Sequence, residues 1–404
     1  AAVGSNSSLV NLIVSLFLGL SVGANVVVAR LIGQGRKDKA NEAVHTVVLL
    51  AVISGFIILG VGEILAPILL GMMNVPDDVL KLATLYLRIF FFAMPFIEIY
   101  DFGSAVLRSK GDSTRPLYAL ITAGVINVIL NLVFVIVFKM GVAGVATATV
   151  ISNFFSACMI LYFLTHEEEM LRLDFRKLRI RWEYLLGIIK IGLPAGLQSM
   201  VFSLSNVVIQ AAINSFGSDG IAGSTAEQNF EFMAYFVINA FAQTATTFTS
   251  QNFAAQDKER CKKIYRLCTF IGLASCLGLS MIFLIGRHLF IQIFSTDENV
   301  IHYAMIRMWS VCLLELLTGV YEISGGCLRG MGHSMTPAVI TVLGTCVFRL
   351  VWVNTIYVAH RSYIMLMIVY PVSWVITGTA VTVAYFITRR KEFAQIGKRR
   401  ADII

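Results

Sequence analysis

Long apolar runs broken by short polar connections dominate the chain. Windows near 7–31, 43–71, 79–107, 116–138, 143–165, 184–214, 222–253, 265–293, 299–328, 337–358 and 364–388 stand out. Each holds roughly the 20 apolar residues that a helix needs to cross about 30 Å of hydrocarbon. No strand-type alternation of barrel kind accompanies them, so the backbone polar groups must be satisfied inside helices. The pattern predicts an all-α integral membrane protein with eleven spans.

Composition agrees, because only 14% of the 404 residues are charged and 57% are hydrophobic. Soluble proteins carry about 25% charged residues, and a chain so poor in them cannot cover itself with a hydrated surface. The net charge of +8 is informative through its placement. Basic residues gather in alternate connections, at Arg36–Lys39, Arg108–Arg115, Arg172–Arg181 and Lys258–Arg266, and again at Arg329 and in the tail from Arg389. The positive-inside rule puts these connections and the C-terminus in the cytoplasm of a plasma membrane protein. The basic runs thus read as topology signals and lipid contacts rather than as a nucleic-acid surface. The seven cysteines lack CxxC or metal-ligand spacing and read as small core residues.

The chain also repeats itself. Leu107-Arg108-Ser109-Lys110-Gly111 and Pro116 fall on Leu328-Arg329-Gly330-Met331-Gly332 and Pro337, each 221 positions later, and Asp101 falls on Glu322. Each glycine permits a tight connection, and each proline suits the first turn of the next helix. Equivalent loops are both basic, so the halves are parallel repeats: two six-helix lobes, the first lacking its first helix. The domains expected are an N-terminal lobe at 1–165, a cytoplasmic linker at 166–183, a C-terminal lobe at 184–388 and a basic cytoplasmic tail at 389–404. Parity and the repeat together lead us to expect about 35–45 residues upstream of Ala1.

Two six-helix halves, the LRxxGD-type turn in each, the glycine-rich close Gly19-Leu20-Ser21-Val22-Gly23-Ala24 with Gly33-Gln34-Gly35, and its partner Thr246–Gln256 resemble the multidrug and toxic compound extrusion (MATE) family, in its bacterial branch. The resemblance covers essentially the whole chain. It implies two six-helix lobes, alternating access, and antiport of amphipathic organic cations against Na⁺ or H⁺, with no other cofactor. Several branches place a Glu about eight residues after the Leu-Pro of the first C-lobe helix; after Leu193-Pro194 that position is Phe202. The ion site is therefore not transferable, and the acids of this chain must be weighed on their own.

An acid in a span costs at least about 2.5–3.5 kcal/mol at the helix centre, so each needs a reason. Glu98 with Asp101, Glu227 with Glu231, and Glu315 with Glu322 form three same-face pairs. Asp101 and Glu322 lie one or two turns from Arg108 and Arg329, which offers them an ion-pair role. Glu231 and Glu315 have no basic residue within a turn of their own helices and are expected to carry the exchanged cation first. For Na⁺, Asn206 or Asn229 would join Glu231 as oxygen ligands. Cavity candidates are Asn206, Gln210, Gln198, Asn229, Phe202, Met200 and Tyr235, an adaptable wall for a cationic small molecule. Arg349 is either a partner for one of the acids or a residue reaching the interface.

Enzymatic motifs such as GxxxxGK(S/T), HExxH and GxSxG are absent, and the loops are too short for a catalytic domain. Two other readings remain at this stage. A lipid-linked oligosaccharide flippase of the same superfamily would want several cations in its cavity, whereas the span residues Arg30, Lys81, Arg88, Lys190, Arg307 and Arg349 fall mostly near helix ends. A non-transporting membrane scaffold or membrane enzyme would need no duplicated lobes. Lipid and a small-molecule substrate are the partners expected of a monomer.

Overall fold

Continuous apolar sequence with few helix breakers inside the runs gives helices throughout the computed structural model, which describes residues 2–72 and 77–401 and contains no strand among them. The side chains of residues 1–13 and of Lys398, Arg399 and Arg400 in the tail lie outside this description. The first helices are α1 (Ala2–Gly33), α2 (Lys37–Met72), α3 (Asp77–Phe91), α4 (Met94–Ser109), α5 (Thr114–Leu132) and α6 (Gly141–Thr165). They are followed by α7 (Trp182–Asn214), α8 (Gly217–Ala254), α9 (Lys258–Ile285), α10 (Arg287–Gln292) and α11 (Glu298–Arg307). The remainder are α12 (Leu316–Met331), α13 (Met335–Thr341), α14 (Phe348–Asn354), α15 (Ile356–Ala359), α16 (Tyr363–Met367) and α17 (Val369–Ala401).

Among the described residues nine helical stretches are long and apolar enough to span a membrane, or ten if α3 and α4, bent by 44°, form one span. The eleventh expected span is α8. It is 38 residues long but more polar than the others, with two glutamates, three asparagines and several hydroxyls along it. The sequence also concealed breaks. A π-helical turn at Met308–Cys312 and a 3-10 turn at Leu313–Glu315 separate α11 from α12, and another π-helical turn, Val342–Val347, lies between α13 and α14. Such turns leave part of the regular bonding pattern unused and often mark functional positions.

The duplicated turn has the same bonds in both copies. Gly111 N–H donates to the Arg108 carbonyl at 2.8 Å and Asp112 N–H to that of Leu107 at 3.2 Å; Gly332 and His333 repeat this onto Arg329 and Leu328, both at 2.9 Å. Gly111 and Gly332 sit at φ +95° and +97°. That is the left-handed closure which caps a helix with glycine.

The chain forms two compact units, Ala1–Gly196 and Leu197–Ile404. Their division falls inside α7, just past Pro194, which lacks the N–H that would tie it to the preceding turn. The N-terminal part of α7 belongs with unit 1 because its glycines mesh with those of α1. A Cβ on Gly19 would stand 2.1 Å from the Gly196 nitrogen, and one on Gly192 would stand 2.6 Å from the Leu20 Cα. The core of unit 1 gathers Val26, Val44, Val47, Phe102, Leu107 and Ile160; that of unit 2 gathers Val311, Tyr321, Leu366, Trp374 and Tyr385.

The 166–183 segment is docked along unit 1. Leu171 and Leu173 are buried in the core. Asn41 Nδ2 donates to the Glu169 and Arg172 carbonyls, His45 Nε2 accepts from Asp174 N–H, and the Thr46 hydroxyl joins the Arg179 carbonyl to Arg181 N–H. Glu167 anchors its start, held by Lys110 at 2.6 Å and by Arg115. Burial pushes the Glu167 carboxyl up, but the Lys110 hydrogen bond, the Glu168 N–H and the charges of Lys110 and Arg115 outweigh it and hold its pKa below the usual value.

Candidate functional site

Unit 2 buries five charged side chains, Glu227, Glu231, Arg307, Glu315 and Arg349. Helical spacing sets the first group: Ser224, Glu227 and Glu231 recur at three and four residues on the inward face of α8. Across from them Arg307 closes α11 and is 1% exposed. Its Nε and Nη2 donate to Glu231 Oε2 at 3.1 and 2.7 Å, and its Nη1 donates to Ser224 Oγ at 2.7 Å. Glu227 Oε2 lies 2.6 Å from the same Nε. One guanidinium therefore serves both acids.

The second guanidinium, Arg349, follows the π-helical turn that opens α14 and is equally buried. Its Nη1 donates to Asn206 Oδ1 at 3.0 Å and its Nε to Ser373 Oγ at 3.3 Å, while Nη2 has no partner. The Tyr370 ring lies between the two cations, with Arg349 Cζ 4.4 Å and Arg307 Cζ 5.4 Å from its centroid, and Phe202 lies 5.2 Å from Arg349. Such faces stabilise a desolvated guanidinium by about 2 kcal/mol.

Glu315 completes the set. The 3-10 turn that it ends holds it in the interior, where the Thr318 hydroxyl lies 2.7 Å from its carbonyl and 3.1 Å from its Oε1, and its Oε2 is buried without a partner. It makes no ion pair among the described residues, although the charge of Arg349 acts on it from beyond contact. Three carboxylates therefore face two guanidinium groups. With every group ionised the cluster carries one negative charge in excess, and Glu315 is its one acid that no guanidinium touches.

The other candidates divide into those brought to this cluster and those that are not. Asn206 and Phe202 belong to it through Arg349. Gln198 accepts from Arg329 at 2.9 Å, beside the Arg329–Glu322 pair at 3.8 Å. Asp101 and Arg108 stand at the equivalent positions of unit 1 and interact through charge. Glu98, also in unit 1, is 1% exposed, and the Ser54 hydroxyl approaches it at 3.5 Å. Tyr235 starts a ladder along α8 in which Asn239 Nδ2 approaches its hydroxyl at 3.5 Å and Gln243 donates to Asn239 at 2.6 Å. Met200 is half-buried, and Gln210 bonds Asn214 one turn on. Asn229 is exposed and donates to its own helix at Thr225, so Glu231, Asn229 and Asn206 are not gathered into one oxygen cage.

Two expectations need correcting. Glu231 is not without a cation, because Arg307 reaches it from another helix. Arg307 and Arg349 are buried inside unit 2, and Arg349 bonds Asn206 and Ser373 rather than an acid. The sequence did hold a signal for the first point: two glutamates four apart on an apolar helix present one guanidinium-sized target, and Arg307 had no acid within a turn of its own.

The comparisons agree with this architecture. The MatE family profile matches residues 1–133 and 194–353. The probable multidrug resistance protein YoeA of Bacillus subtilis is 26% identical over 85% of this chain and 75% of its own length. The probable multidrug resistance protein NorM of Thermotoga maritima is 23% identical over 87% and 76%, and the multidrug export protein MepA of Staphylococcus aureus 22% over 80% and 71%. Among solved structures, a MATE transporter in the bent conformation superposes with a TM-score of 0.87 at 21% identity, covering 99% of this chain and 88% of that one. A MOP superfamily transporter from Pyrococcus furiosus, described as having a binding pocket of reverse polarity, gives 0.88 at 21% identity over 98% and 88%. Apolar helices in this number, a duplicated helix-closing turn, a charged cluster buried among them and a profile covering most of the sequence converge: the chain belongs to the MatE family and is a multi-pass membrane protein for multidrug efflux.

Proposed function

We propose that the chain exports amphipathic organic cations across the plasma membrane in exchange for protons, by alternating access, with the 166–183 segment and C-terminus on the cytoplasmic side and Glu315 as the group that carries the exchanged proton. The observation that carries this reading is that a buried cluster with one negative charge in excess includes a carboxylate, Glu315, that no guanidinium touches. Glu231 and Glu227 share Arg307, and Glu315 is left with Thr318 and one unmatched oxygen. A proton neutralises that surplus, and so does a cationic drug, so the two ligands exclude each other. Mutual exclusion on one site is the coupling that antiport requires.

Protons fit better than Na⁺. A hard metal cation needs several oxygen ligands, whereas Asn206 is engaged by Arg349 and Asn229 is exposed. An anionic substrate would be favoured by the two buried arginines taken alone, but the adjoining acids outnumber them.

The test follows ethidium uptake into proteoliposomes under an imposed pH gradient or an imposed Na⁺ gradient. Wild-type protein should respond to pH alone, and Glu315→Gln should lose the gradient-driven component. Glu231→Gln should instead act through Arg307 and lower stability as well as transport. Unchanged pH-driven uptake by Glu315→Gln would overturn the assignment, and a response to Na⁺ alone would overturn the choice of ion.

A further inference from the structure

The 166–183 segment carries cations that neither the fold nor the transport reading uses. Lys177-Leu178-Arg179-Ile180-Arg181 alternates basic with apolar residues and holds no helix over 178–181. In an extended stretch residues two apart share a side, and Leu178 packs on the core of unit 1. Lys177, Arg179 and Arg181 thereby come together with Asn41, Glu42 and His45 of α2 around a cavity of about 220 Å³. That is several times the roughly 30 Å³ that a water molecule occupies in the liquid.

Most polar groups of this wall are already engaged. Glu42, its one acid, is matched: Oε1 accepts from Arg181 Nη2 at 3.0 Å and Oε2 from the Tyr184 hydroxyl at 3.2 Å. His45 spends both ring nitrogens on the main chain, Nδ1 at 2.7 Å from the Asn41 carbonyl and Nε2 at 3.0 Å from the Asp174 nitrogen. Asn41 Nδ2 is taken by the Glu169 and Arg172 carbonyls, and the Asp174 carboxylate turns to Arg176 N–H at 3.0 Å. Lys177 and Arg179 are exposed and make no ion pair among the described residues. Three cations against one acid leave the wall with two positive charges in excess. The depth of the cavity identifies what would meet them. α2 is apolar enough to span a membrane from Lys37 onward and α7 from Trp182 onward, so the wall is made of the first turns of one span and the residue before another. Beside it Phe175, Trp182 and Leu186 expose apolar side chains, and aromatic rings so placed sit at the headgroup level of a bilayer. An ammonium and a guanidinium at that depth suit a phosphate group.

We propose that this cavity binds the phosphate of an acidic phospholipid in the leaflet that the 166–183 segment faces, with Lys177 and Arg179 as its cationic contacts. The bound headgroup ties the segment to the bilayer, in addition to the grip of α2 on its main chain. The site does not depend on which ion or substrate the protein exchanges.

The experiment titrates the full chain, purified in detergent, with a fluorescent phosphatidylglycerol and reads its anisotropy. Unlabelled phosphatidylglycerol should displace the probe, and phosphatidylcholine should not. Lys177→Gln and Arg179→Gln should each weaken binding about fivefold and together roughly 25-fold, the effect of removing one and two cations from a headgroup surface. Lys177→Arg keeps the charge and should bind as wild type does. Arg172→Gln combined with Arg176→Gln removes the same charge from exposed residues outside the cavity wall and should change binding far less. All of these side chains are exposed, so the variants should elute from size exclusion as wild type does. Equal weakening by the two double variants would show a diffuse field and overturn the site, as would phosphatidylcholine competing as strongly as phosphatidylglycerol. Displacement by inorganic phosphate at the concentrations at which phosphatidylglycerol acts would overturn the lipid and assign a soluble phosphate instead.

Discussion

Arg307→Met removes the guanidinium while nearly preserving its apolar stem. Glu227, fully buried, and Glu231, with 12% of its side chain exposed, then face each other one helical turn apart with no counter-charge in contact. Breaking a buried pair from one side costs about 3–5 kcal/mol, because the stranded charge remains buried. Two are stranded here, which points to the upper part of that range. For a unit the size of Leu197–Ile404, each kcal/mol shifts the midpoint by roughly 2–4 °C, so about 4–5 kcal/mol should lower it by roughly 8–20 °C. Temperature-ramped size-exclusion chromatography in detergent would read it. Adding Glu227→Gln and Glu231→Gln to Arg307→Met should recover most of the loss, since replacing a whole buried ionic group is often close to neutral. A loss below about 1 kcal/mol, the range of an exposed pair, or a triple variant as unstable as the single, would refute the reasoning.

Three other outcomes are expected. Gly196→Val would place its Cβ 2.3 Å from the Leu16 carbonyl oxygen; forcing α1 and α7 apart should cost about 1–3 kcal/mol, whereas Gly278→Val, which meets nothing within 4 Å, should leave the melting temperature unchanged. Gly332→Ala, at φ +97°, should cost about 1–2 kcal/mol through left-handed strain, read as a lower midpoint in the same melt. The Glu167 clamp should weaken in acid. Its pKa is depressed in the folded chain, so its contribution is complete above the unfolded value of about 4.3 and is lost as pH falls through the folded one. Limited proteolysis of the 166–183 segment should therefore accelerate below about pH 4, and Glu167→Gln should already be fast at pH 7.

The architecture was legible because it is written in long patterns. A span needs some twenty apolar residues in a row, and no side-chain detail alters that. The duplicated turn was equally readable, since Gly111 and Gly332 meet a backbone requirement that few residues other than glycine satisfy. The buried acids stood out because each contradicts its surroundings. What eluded the sequence was the identity of their partners. Glu231 meets Arg307 only after α8 and α11 pack together, 76 residues apart in the chain. Asn206 meets Arg349 across 143 residues, and spacing along one helix says nothing about either encounter. The π-helical and 3-10 turns were hidden for a related reason: Met308–Glu315 reads as ordinary apolar helix, and its departures from α geometry reflect how its neighbours pack.

The attachment of the 166–183 segment has a consequence for how that stretch can vary. Asn41, His45 and Thr46 hold the carbonyls of Glu169, Arg172 and Arg179 and the N–H groups of Asp174 and Arg181. A grip on main-chain atoms recognises the course of the backbone and is indifferent to exposed side chains such as those of Arg172 and Arg176, whereas Leu171, Leu173 and Glu167 are held by their side chains as well. Reporter groups attached at positions 172 or 176 should leave the segment seated. Inserting or deleting a single residue between 174 and 179 would move the downstream groups past their fixed partners. Length, more than spelling, is what this stretch must conserve.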